Sequence, residues 1–140
     1  MKVLTSLTVL IATLLLLAGS SLKGQSMIDM TKEEVLVMVK DKHMEFRRDK
    51  SVVNQRFNYL KYVNGLRTRT WIIYFTDEDI CRSTKLVCEY REYDDVLEEL
   101  NENHDKVGES EWRYELENDT IQVILVRQEW YFTVREARKK

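Results

Sequence analysis

The sequence predicts an α+β domain, a mainly antiparallel sheet of about six strands with two helices on one face. Three observations predict it. Apolar residues recur at helical spacing over 32–42 and again over 93–106. Elsewhere they alternate with period two, as in Trp112, Tyr114 and Leu116. Asn64-Gly65, set between two β-rich runs, is a strong short-range hairpin signal. The predicted order is α-β-β-β-α-β-β-β, which raises an internal duplication as one origin of the fold and chance recurrence as the other.

Each element has its own reason. Thr31-Lys32-Glu33-Glu34 fits a capping box, and Val35, Leu36 and Val39 follow it at helical spacing. Residues 46–55 are polar and mixed, a loop or irregular strand. Phe57 to Tyr62 and Thr70 to Phe75 flank Asn64-Gly65, where a type I′ turn is expected. Asp77-Glu78-Asp79 makes the next turn, and Ile80 to Tyr90 reads as the third strand. In the second helix Tyr93, Val96, Leu97 and Leu100 form the apolar stripe, and Gly108 suits a left-handed C-terminal position. Three more strands follow: Glu111 to Glu117, Ile121 to Val126 after the Asn118-Asp119 turn, and a last one alternating Trp130, Phe132 and Val134. The basic end, Arg135 to Lys140, is expected to fray.

Ahead of this domain lies an export signal. Lys2 precedes an apolar run from Val3 to Leu17 and a small-residue exit, Ala18-Gly19-Ser20-Ser21. That is the layout of a secretory signal peptide over 1–24, with cleavage between 20 and 25. A retained N-terminal anchor is the competing reading, although the run is shorter than the roughly 20 residues of a membrane span. The expected location is periplasmic or secreted, with no stable membrane insertion after cleavage. The domain over 25–140 keeps all fourteen aromatics but, of the glycines, only Gly65 and Gly108, and the chain has no proline. Losing Lys2 and Lys23 leaves 20 basic against 24 acidic side chains, so the net charge moves from −2 to −4. Such a domain lacks the positive field that tracks nucleic-acid phosphate, and nucleic acid is set aside as a partner.

Export also makes the cysteines a redox question. Cys81 and Cys88 are the only two. In one extended strand, seven steps of about 3.3 Å separate them by about 23 Å. A disulfide needs Cα atoms within about 7 Å. An odd spacing also turns them to opposite faces, so an internal bridge requires the strand to break between them; a bridge to another chain is the alternative.

No chemistry-bearing motif emerges. His43 and His104 sit near predicted helix ends, where a cation favours the dipole, and neither belongs to a zinc-ligand spacing. Asp77-Glu78-Asp79, Asp94-Asp95 and Glu98-Glu99 read as solvated faces, and the first lacks the glycine and distal Glu of a calcium loop. No serine lies in a Gly-x-Ser-x-Gly elbow. Asn118-Asp119-Thr120 is a glycosylation acceptor triplet. No cofactor, metal or catalytic residue is expected. What remains is a surplus of aromatics. Tyr74 and Tyr131 are out of phase with the Phe75 and Trp130 rows and are expected on the wet face of the sheet. With Arg69, Arg127 and Arg135 they form the candidate interaction surface.

Some stretches carry a resemblance: the signal peptide ending near Gln25, Thr70 to Phe75 followed by Ile80-Cys81, Leu100-Asn101, and Trp130-Tyr131-Phe132-Thr133-Val134. Through them the chain resembles small periplasmic proteins of Gram-negative bacteria, and its element order is similar to that of β-lactamase-inhibitor-like and PepSY-type modules. The resemblance implies a module that binds or inhibits proteins and has no catalytic residues. The expectation is therefore an exported non-enzymatic protein that binds another protein or an envelope component. The alternative is a small hydrolase cleaving a glycan or peptidoglycan with paired carboxylates.

Overall fold

The computed structural model describes residues 26–51 and 56–140. The signal segment over 1–24 and residues 52–55 of the polar stretch lie outside the described residues.

Helix α1 spans Lys32–Lys42. Its capping box is formed: Thr31 Oγ1 accepts from the Glu34 amide at 3.2 Å, and the Thr31 amide donates to Glu34 Oε2 at 3.1 Å. Strands β1 (Phe46–Arg48), β2 (Tyr59–Asn64), β3 (Arg69–Phe75) and β4 (Cys81–Glu89) follow. A single 3₁₀ turn over Tyr90–Glu92 leads into α2 (Tyr93–Asn103), and then β5 (Asp105–Lys106), β6 (Glu111–Leu116), β7 (Asp119–Arg127) and β8 (Tyr131–Arg138). Among the described residues no helix is long and apolar enough to cross a membrane.

The domain is α+β with one antiparallel sheet, as expected, but the sheet has eight strands in the order β1-β2-β3-β4-β8-β7-β6-β5. The two beyond the expected six are β1 and β5, three and two residues long, too short to show a hydrophobic period. They close the two edges, and short edge strands discourage pairing with other chains. The element order is thus a helix with four strands, twice, and the two halves meet along the β4–β8 pair.

Strand registers fix the faces, since alternate residues point to opposite sides. One row runs Leu60, Ile73, Thr84, Glu136, Val123, Trp112 across six strands. Both helices cover the face that carries this row. Val35 and Val39 of α1 pack with Leu60, Ile73 and Phe75, while Val96 and Leu100 of α2 pack with Trp112, Val123 and Phe132. Trp112 is fully buried, and its indole N–H donates to Asn101 Oδ1 at 2.9 Å.

Several local expectations are corrected. Asn64 and Gly65 do not form a type I′ pair: no glycine among the described residues has positive φ, and Arg67 takes the left-handed conformation at φ 58°. The Asn64 side chain accepts from the Thr68 and Arg69 amides, each at 2.9 Å, which holds a longer loop. Helix α2 stops at Asn103, because Asp105 and Lys106 pair with β6, and Gly108 lies beyond in the β5–β6 turn. Trp130 precedes β8 in a turn and is 80% exposed. The basic end does not fray up to Arg138, which pairs with Ile121 and whose guanidinium engages Asp29 and Asp119. The cysteine faces are also reversed. Tyr74 pairs with Ser83 but Phe75 pairs with Cys81, so Arg82 is the extra residue of a β-bulge. The bulge shifts the alternation and turns both Cys81 and Cys88 to the helix-covered face, where they lie buried and unbridged in separate clusters.

Candidate functional site

The five residues singled out from sequence divide between two faces. Tyr74, Tyr131 and Arg135 lie on the open face. Arg69 and Arg127 lie on the covered one, in register with Cys88 and Phe132. Arg69 is held there. Its guanidinium donates to Glu92 Oε2 at 3.0 Å and to both Glu99 oxygens at 3.1 and 3.2 Å. Arg127 stacks over Tyr93, 4.6 Å from the ring centroid. Tyr74 packs with Tyr59 and under Arg82. Tyr131 sits opposite Glu89, about 20 Å along β4 from the Tyr74 position.

The structure adds a feature at the centre of the open face. Lys85 on β4 and Arg135 on β8 are direct cross-strand partners, and neither has an ion-pair partner among the described residues. Like charges directly opposite each other destabilise a sheet by about 0.2–1 kcal/mol. Around them are Ile72, Val87, Ile124 and Val126. Nearby cations are neutralised instead: Lys61 by Asp49 at 3.3 Å and Arg113 by Glu111 at 3.1 Å. Asp49 is correspondingly held at about 2, through hydrogen bonds from Ser51 and Lys61.

A second site lies on the covered face, in the groove between the helices over the β4–β8 seam. It encloses about 230 Å³. Glu136 and Leu86 form its floor, Trp71 and Phe46 one wall, and Leu100 and His104 the other. His43 and His104 are the two helix C-caps. The expected dipole placement is met, and their rings also pack: His43 edge-on to Trp71 at 5.0 Å, and His104 stacked on Tyr114 at 4.8 Å.

Glu136 is the unusual group. One carboxyl oxygen accepts from the Tyr114 hydroxyl, which also bonds Ser26 Oγ at 2.6 Å. The other has no hydrogen-bond partner among the described residues. Burial raises the Glu136 pKa against the opposing effect of the Tyr114 hydrogen bond. Tyr114 is likewise raised, by burial first and then by the neighbouring Glu136. Sequence reasoning missed this pair, although a signal existed: Glu136 continues the buried phase of Phe132 and Val134.

Among the described residues no three His, Cys, Asp or Glu side chains are grouped to hold a metal ion. The chain matches no protein-family model, no curated protein and no solved structure.

Proposed function

We propose that the chain is an exported, non-enzymatic binding protein whose open sheet face receives an acidic surface of a partner protein. The observation that carries this reading is the Lys85–Arg135 pair, two adjacent cations without an ion-pair partner among the described residues, amid apolar side chains on the sheet face opposite the helices. A partner carboxylate placed there relieves their repulsion and is desolvated by the surrounding Ile72, Val87, Ile124 and Val126. Tyr74 and Tyr131 at the rim have the amphipathic character favoured in protein interfaces.

The hydrolase alternative draws on Glu136, a carboxyl of raised pKa in a groove. Against it, Glu99 in the same groove is tied to Arg69 through both oxygens. Position-specific photo-crosslinking separates the binding face from other surfaces. A photoreactive residue at position 87, in mature protein incubated with envelope extract, should give a discrete protein adduct that Arg135→Glu abolishes. The same probe at Val107, 49% exposed at the far edge, should give none. Equal adducts at both positions, or an adduct insensitive to Arg135→Glu, would refute the assignment.

A further inference from the structure

The geometry points to the interhelical groove as a binding site for a primary ammonium group on an apolar stem. At about 230 Å³ the groove is smaller than the roughly 300–1,000 Å³ typical of drug-sized ligands, which restricts the occupant to something of side-chain size. Its floor presents one unbonded carboxyl oxygen of Glu136, an acceptor with no donor to satisfy it among the described residues. A protonated amine supplies such a donor, and its charge compensates the half-buried carboxylate.

The walls fit the rest of such a molecule. Leu86, Leu100, Trp71 and Phe46 offer apolar surface for a methylene stem, and Trp71 and Phe46, with ring centroids 5.3 Å apart, present aromatic surface beside the cation. The groove's charge has the matching sign. Its carboxylates are Glu45, Glu99 and Glu136, and its one arginine, Arg69, is shared between Glu99 and Glu92. His43 from the end of α1 and His104 from the end of α2 face the same space, and Glu45 lies 3.9 Å from His43. A free monoamine and the side chain of a partner's lysine share this chemistry.

The test is a titration of the mature protein at pH 7.5 with n-hexylamine, 1-hexanol and hexanoate, followed by calorimetry. Titration with N-acetyl-lysine amide then asks whether a lysine side chain is accepted as well as a free amine. A charged hydrogen bond to Glu136 predicts hexylamine tighter than hexanol by at least about tenfold, with hexanoate weakest. Glu136→Gln should erase the preference for the amine while keeping the affinity for hexanol. Should that variant fail to fold by circular dichroism, Leu100→Trp, which fills the groove, should abolish hexylamine binding. Hexylamine binding no tighter than hexanol, or as tight in either folded variant as in the wild type, overturns the assignment. Photo-crosslinking from position 87 is unaffected by these results, so the two proposals fail independently.

Discussion

Glu136 shows how one half-buried carboxyl sets conflicting demands. Burial holds its pKa above the ordinary carboxylate value, so the folded state binds its proton more tightly than the unfolded chain does. The stability this contributes is complete below the unfolded pKa and is lost as pH rises through the folded one. Urea midpoints of the wild type are therefore expected to fall as pH is raised from about 4.5, the ordinary Glu range. Glu136→Gln should flatten that limb, and an unchanged slope would show that another group governs it. Asp49 acts in the opposite window: its lowered pKa contributes above about 4 and is lost as pH falls toward about 2. Tyr114→Phe removes the hydroxyl shared by Glu136 and Ser26 and should cost about 1–3 kcal/mol. The cysteines give a further residue-scale check. Burial pushes both thiols up to about 12. Native protein at pH 8 should therefore resist a thiol reagent such as DTNB, whereas denatured protein should react at both sites; rapid labelling of the native state would contradict the buried placement.

At the scale of elements, helix α1 is tied down at its start. Beyond the capping box, the Lys32 amide donates to Asp79 O at 2.9 Å, and Thr31 forms an isolated bridge with Ile80. Asn58 joins the same corner, accepting from Lys32 Nζ and donating to Asp79 Oδ1, each at 2.6 Å. Thr31→Ala should destabilise the fold by about 1 kcal/mol in urea unfolding, and Thr31→Ser should restore most of it. A loss as small for Ala as for Ser would show that the cap contributes little beyond the backbone contacts. The β4 bulge is the other decisive local device. One unpaired residue, Arg82, keeps Cys81 and Cys88 on the same face and sends its own side chain over Tyr74 on the other.

Over the whole molecule, two helix-and-four-strand halves join along β4 and β8, and both sites lie on that seam, one on each face. The open-face cations are a stability cost in the isolated protein. Lys85→Glu, which places opposite charges across the Arg135 pair, should raise stability by about 0.2–1 kcal/mol at low salt. The gain should shrink in 0.5 M salt, because exposed charges are screened. No gain at low salt would mean that the two side chains already splay apart. A variant that is more stable yet loses its crosslinked partner is the outcome expected where function keeps a locally unfavourable arrangement.

The sequence by itself determined the class of fold, both helices, the capping box, and the alternation that buries Trp112 and Phe132. These depend on local periodicity and cap chemistry, which neighbouring residues carry. It also placed Tyr74 and Tyr131 correctly on the open face, because strand phase is local. Arg69 and Arg127 were misjoined to them, since only the strand registers and the position of α2 bring Glu92, Glu99 and Tyr93 against their guanidinium groups. The two short edge strands were illegible for want of a period, and the bulge was illegible because one inserted residue leaves no compositional mark. Only the tertiary structure decided that Lys85 meets Arg135, residues fifty positions apart in the chain, and that Glu136 lies beneath a groove between helices. Such juxtapositions arise from pairing distant strands, and a one-dimensional pattern contains no information about which distant strand is the neighbour.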